Sequence, residues 1–171
     1  LGGVANYSFN DSSVMLGLYN GDAGQDTVGN YGFDYELQDV AFWYQIQQNY
    51  KLLNRQGLVA FGGNYHSGTF YNYDTQADEN GFYAFYLNLQ QDLVVNEKDE
   101  AVLGGFVRLG WAPQGAVADV AKSLDTGLNW FGPIPERPDD VFGFGASIVE
   151  MGSGWVNEQQ NNGDPFFRHQ T

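Results

Sequence analysis

The sequence has no cysteine, which excludes disulfides, thiolate zinc sites and cysteine nucleophiles together. Histidine is nearly absent, two in 171 residues. With no nucleophile elbow, metalloprotease pair or phosphate-binding loop either, the chain reads as a non-enzyme. Basic residues are scarce: 7 Lys and Arg stand against 21 Asp and Glu, a formal net charge of −14. A field of that sign repels polyanions and excludes nucleic acid as a partner. Charged residues of either sign make up 16%, against roughly 25% in an average soluble domain, so a water-facing surface lacks its usual material. There is no run of about 18 apolar residues, which removes a transmembrane helix. A secretory signal is missing from the start as well; Leu1-Gly2-Gly3 opens without Met, the expectation for a mature or internal segment.

What the chain has in quantity is aromatic residues (13 Phe, 11 Tyr, 4 Trp) and 23 glycines. Helical spacing is almost missing and two-residue alternation is nearly everywhere. Within 39–51, Val40, Phe42, Tyr44 and Ile46 oppose Trp43, Gln45, Gln47 and Asn49. Val59, Phe61 and Tyr65 oppose Asn64 and His66; Tyr83, Phe85, Leu87 and Leu89 oppose Asn88 and Gln90. Leu103, Val107, Leu109 and Trp111 oppose Gly104, Arg108 and Gly110. Leu128 and Trp130 oppose Asp125 and Asn129, and Phe142, Phe144 and Ile148 oppose Gly143, Gly145 and Ser147. With Val14, Leu16 and Leu18 against Ser13, Gly17 and Tyr19, the pattern predicts about seven strands, and an eighth over residues 1–9.

Alternation by itself does not choose the solvent. A soluble sheet puts Lys, Glu and Thr on its water face, whereas here the polar face is Gln, Asn, Gly and one Arg. That combination suits a barrel with lipid outside and water inside. The connections are expected to alternate, long at 21–38, short at 53–56, long at 69–80, short at 96–100, long at 113–123 and short at 134–139. Outer-membrane barrels have tight turns at one end and long loops at the other. Lys51, Arg55, Lys98 and Arg137 sit beside the short turns, and the long ones are acidic. Residues 116–124, within a long connection, read as the single credible helix.

The run Gly104-Gly105-Phe106-Val107-Arg108-Leu109-Gly110-Trp111-Ala112-Pro113 resembles a landmark of the bacterial carbohydrate-selective (OprB-type) porins. A second follows in order, Asp125-Thr126-Gly127-Leu128-Asn129-Trp130-Phe131-Gly132 and then Arg137-Pro138-Asp139-Asp140-Val141-Phe142-Gly143-Phe144-Gly145. Upstream, Gly62-Gly63-Asn64-Tyr65-His66-Ser67-Gly68 and Gly81-Phe82-Tyr83-Ala84-Phe85-Tyr86 are similar to the family's strand and loop entries. The resemblance implies an all-β fold, an antiparallel transmembrane β-barrel of about 16 strands, of which residues 1–171 supply a single segment of about 7–8. It implies an outer-membrane pore for passive diffusion of mono- or small oligosaccharides, surrounded by outer-membrane lipid and lipopolysaccharide, with a homotrimer as the assembly. So few strands fill their own interior with side chains. Together with an end at Phe166-Phe167-Arg168-His169-Gln170-Thr171, this leads us to expect an internal portion of a longer porin.

The pore-lining set expected from alternation is Trp43, Gln45, Gln47, Asn49, Asn64, His66, Asn88, Gln90, Arg108, Asp125 and Asn129. Such side chains replace water around sugar hydroxyls, and each contact has to stay weak for flux to continue. Arg108 either holds two vicinal hydroxyls in its donor fork or pairs with a carboxylate across the lumen. Trp43 either stacks on a sugar ring or belongs to a membrane-boundary girdle. His66 reads as a lumen hydrogen-bonder, Asp125 as a lumen acid or a turn anchor, and Arg137 as a structural residue in a turn. No cofactor is expected. The acidic stretches at 22–26 and 74–81 lack the ligand spacing of a helix–loop–helix calcium site, leaving a loop-bound divalent cation as a minor alternative. Two other readings stand beside the pore: a soluble carbohydrate-binding β-sandwich, and a self-contained eight-stranded outer-membrane barrel with an anchoring role.

Overall fold

The computed structural model describes residues 2–21 and 39–162. They form one antiparallel meander of eight strands: β1 (Gly2–Phe9), β2 (Ser12–Asn20), β3 (Val40–Leu52), β4 (Arg55–Asn72), β5 (Ala77–Val95), β6 (Ala101–Trp111), β7 (Val120–Phe131) and β8 (Val141–Met151), followed by a helix, α1 (Ser153–Asn161). Each strand pairs with its neighbours in sequence, in the order β1 to β8. Among the described residues β1 and β8 do not pair with each other, so the sheet is open, a partial barrel wall. Neither the second layer of a sandwich nor the closure of an eight-stranded barrel is formed by these residues.

The register aligns the two alternating patterns across the whole sheet. One row of directly paired residues runs Tyr7, Val14, Ile46, Phe61, Leu87, Leu109, Leu124, Ile148, apolar on every strand. The row beside it, on the opposite face, runs Ser8, Ser13, Gln47, Ala60, Asn88, Arg108, Asp125, Ser147, small or polar on every strand. A one-residue slip at any pairing would interchange the faces of that strand, so the apolar row itself specifies the register. Aromatic side chains reinforce it obliquely: Tyr44 packs on Phe61, Phe61 on Phe85 and Phe85 on Trp111, with ring centroids 6.1, 6.3 and 5.9 Å apart.

Neither face is covered. Among the described residues the buried apolar side chains are Ala60, Ala112, Val117 and Ala118, and three of these lie outside the strands or at the end of one. Ile46, Phe61, Leu109 and Ile148 of the apolar row stay exposed. Apolar surface on that scale marks contact with a membrane or with other protein.

The two ends of the sheet differ. Residues 10–11, 53–54, 96–100 and 132–140 turn at one end, where Lys51, Arg55, Lys98 and Arg137 are found. Leu53 and Asn54 have φ of 51° and 61°, the turn geometry that matches strand twist. Arg137 is held in its turn by Asp140, Nε to Oδ2 at 2.8 Å. At the other end, 73–76 and 112–119 meet α1: the Tyr73 amide donates to the Ala116 carbonyl (2.8 Å), Tyr73 Oη to Asp119 Oδ1 (2.8 Å) and the Gly154 amide to the Gly115 carbonyl (3.2 Å). A Cβ on Gly152 would stand 1.8 Å from the Ala118 carbonyl oxygen, so α1 starts closer to the loop than any side chain allows.

Three expectations change. Residues 116–124 are not helical; Val120 and Lys122 pair with Met151 and Glu150 in the sheet, and a segment that short gains more from ladder hydrogen bonds than from a helix nucleus. The helix lies instead at Ser153–Asn161. The long connection at 69–80 is a hairpin extension, in which Thr69 to Asn72 pair with Asn80 to Ala77 past a bulge after His66. Consequently loop length does not alternate strictly: 132–140 is no shorter than 112–119. The stretch 22–26 lies outside the described residues.

Candidate functional site

The candidate site is the polar face. Its residues come from all eight strands and reach one surface because they share strand parity and register. Trp43 is paired with Asn64, Asn88 with Arg108, Arg108 with Asp125, and Gly104 with Asn129. Gln45, Gln47 and Asn49 continue down β3 in the same phase, opposite Gly62, Ala60 and Leu58, and Leu58 faces Gln90. All the residues expected to line a pore therefore fall on one face. Trp43, read either as a sugar-stacking side chain or as part of a membrane-boundary girdle, stands on the polar face beside Gly17 and Asn64.

Within this face Tyr86 Oη donates to Gln45 Oε1 at 2.5 Å, and Gln45 Nε2 to Gln47 Oε1 at 3.4 Å, a chain of amides and a phenol along the wall. Asp125 Oδ1 accepts from Ser147 Oγ at 2.6 Å, which commits that oxygen to β8. Arg108, although opposite Asp125 in register, has no ion-pair partner among the described residues. Its guanidinium is left exposed toward the polar side. Asn88 Oδ1, beside it, is buried without a hydrogen-bond partner among the described residues. A cleft of ≈ 200 Å³ opens here, lined by Asn88, Gln90, Asp92, Arg108, Asn129 and Phe131 among others.

His66 departs from its expected role. The Gly68 amide donates to Nδ1 at 3.0 Å, so Nδ1 carries no proton and Nε2–H donates to the Gly21 carbonyl at 2.9 Å. Both ring nitrogens are used up in fastening the end of β2 to β4, leaving none for a ligand. Among the described residues no three His, Asp or Glu side chains are grouped to hold a metal.

Four aromatic residues on the polar face are missed by a rule that sends every aromatic side chain to the apolar one: Phe82, Tyr86, Phe106 and Phe131. The signal that finds them is parity, since each lies an even number of residues from Asn88, Arg108 or Asn129 on the same strand.

A family model described as the carbohydrate-selective porin, OprB family, matches residues 1–164. Among solved structures the chain is similar to that of Pseudomonas putida OprB at high pH, with a TM-score of 0.73 and 15% sequence identity. That likeness covers 95% of this chain and 44% of the other, so the chain spans less than half the length of that protein. At this identity the likeness speaks for the fold. None of the curated proteins matches the chain.

Proposed function

Since the chain belongs to the OprB family of carbohydrate-selective porins, we propose that it forms part of the wall of a water-filled outer-membrane barrel through which mono- or small oligosaccharides pass down their gradient. The observation that carries this reading is the pair of adjacent rows that cross all eight strands, one apolar and one polar with a single cation. Lipid meets the first and water the second. The polar row has donors and acceptors without a dense field of charge, which suits neutral polyols better than ions. Arg108, free of a carboxylate among the described residues, supplies a planar donor fork to passing hydroxyls, and Asp125 with Ser147 supplies acceptors beside it. No contact in the row resembles a tight cage, as flux requires.

In the same reading the open sheet is one part of a barrel of about 16 strands, and strands outside residues 1–171 complete the wall. Outer-membrane lipid and lipopolysaccharide surround the apolar face, the turn end at 53–54 points to the periplasm, and the barrel assembles as a homotrimer. Passage of this kind needs neither cofactor nor catalytic group.

The test is single-channel recording of the detergent-purified native protein in a planar bilayer, with glucose titrated into the bath. Stepwise openings partly blocked by glucose support the proposal, and Arg108→Ala then weakens the block. Openings indifferent to sugars remove the selectivity, and inserted protein without openings removes the pore.

A further inference from the structure

We infer that Phe106 and Phe131 form a stacking subsite for one pyranose ring at the turn-side half of the lumen, a deepening that rests on the proposed pore. The argument starts from two glycines. Gly127 pairs with Phe106, and a Cβ added to it would stand 2.6 Å from Phe106 Cε1. Gly104 pairs with Asn129, and a Cβ there would stand 3.3 Å from Phe131 Cε2. Each ring thus reaches sideways over the facing strand and occupies the space where a side chain would be. Phe106 lies across β7 and Phe131 across β6, and both glycines are buried beneath them. The rings are tethered at the wall, and Phe131 remains 37% exposed toward the polar side.

Cover for a bare glycine backbone accounts for where each ring lies, and it leaves the outer face of the ring turned to the polar side. What surrounds the rings gives that face a use. Gln90 is directly opposite Phe106, Asp92 directly opposite Gly104, and Arg108 follows on β6. With Asn129 and both rings they line the ≈ 200 Å³ cleft. A pyranose has two kinds of surface, hydroxyls around its rim and C–H bonds on its faces. The cleft matches both: aromatic rings for the C–H face, and for the rim a donor fork (Arg108), an acceptor (Asp92) and amides that serve as either (Gln90, Asn129). The cleft has room for a single ring. It takes a closed pyranose with an unobstructed C–H face, and it disfavours an open-chain polyol of the same size and hydroxyl count, which has no face to stack.

The experiment compares glucose with sorbitol as blockers of the full-length native pore in planar bilayers, for the parent, Phe106→Leu, Phe131→Leu and the double variant. Leucine keeps the apolar volume over each glycine and removes the flat ring, so the wall still folds. Conductance in salt alone checks that each variant is open. The expected result is a parent blocked by glucose at about tenfold lower concentration than by sorbitol, with that preference lost in the double variant. A parent blocked equally by the two polyols, or leucine variants that keep the preference, overturns the subsite and leaves the pore standing. A parent that never conducts removes the pore reading, and the subsite with it.

Discussion

Ile148 and Ser147 are neighbours on β8, and the register sends them to opposite faces, Ile148 beside Leu124 and Ser147 beside Asp125. Ile148 is 69% exposed. If water bathed that face, Ile148→Arg would replace an exposed side chain by a soluble one and change stability by no more than about 0.5 kcal/mol. In a bilayer the same change puts a guanidinium into hydrocarbon. Ile148 lies near the middle of β8 (Val141–Met151), so the applicable cost approaches that of the midplane, about 2–4 kcal/mol. At 1.36 kcal/mol per factor of ten, this lowers the folding equilibrium constant about 30- to 900-fold. Ser147→Arg enters the aqueous side next to Asp125, exchanging one hydrogen bond for an ion pair, and costs less than about 1 kcal/mol. Urea-driven unfolding of the native protein in phospholipid vesicles, followed by heat-modifiable gel mobility, measures both. Equal costs for the two variants, or a harmless Ile148→Arg, would refute the assignment of lipid to the apolar face.

Other outcomes follow from single contacts. His66→Ala removes two hydrogen bonds and costs about 1–3 kcal/mol locally, read as faster amide exchange at Gly68 and Gly21. The Tyr73 hydroxyl is pushed up to about 12, first by its hydrogen bond to Asp119, then by burial and by the charges of Asp119 and Glu158. Because the folded value lies above the ordinary 10.0, this contact stabilises the loop end below pH 10 and is lost as pH rises toward 12. Tyr73→Phe should abolish that step in a pH titration of α1 docking. Gly127→Val sets a Cβ against Phe106 and the Phe144 carbonyl, and should cost about 1–3 kcal/mol in vesicle unfolding experiments. Arg137→Ala, which breaks an exposed pair, should change the same measurement by no more than about 1 kcal/mol.

Most of the sheet was readable from alternation, because each face of a membrane barrel has its own solvent and the period of two therefore survives along nearly every strand. The polar set was readable for the same reason: Gln45, Asn88, Arg108 and Asn129 contrast with both neighbours. Phe106 and Phe131 were not, since the contrast that reveals a polar side chain says nothing of an apolar one in the water-facing phase; only the strand parity places them. His66 has the right parity, and its diversion to Gly21 depends on where residues distant in sequence meet. The extended hairpin at 69–80 was hidden by its polar residues, Asn72, Asp78 and Glu79, which look like a loop although their backbone pairs beyond the apolar band. The helix at Ser153–Asn161 has a weakly amphipathic pattern, and close approaches at Gly152 and Gly154 to residues 115–118 and Tyr73 dock it.

The strictly sequential pairing has a consequence for assembly. A meander built one hairpin at a time presents two unsatisfied edges at every stage, whether two strands have entered the bilayer or eight. The penalty for those edges, several kcal/mol for each backbone group stranded in hydrocarbon, is therefore nearly constant during insertion. The gain from handing apolar side chains to lipid, by contrast, rises with each added hairpin. On the proposed barrel, this balance favours growth of a partly inserted sheet over its division into smaller ones, until strands beyond the open sheet pair its two edges.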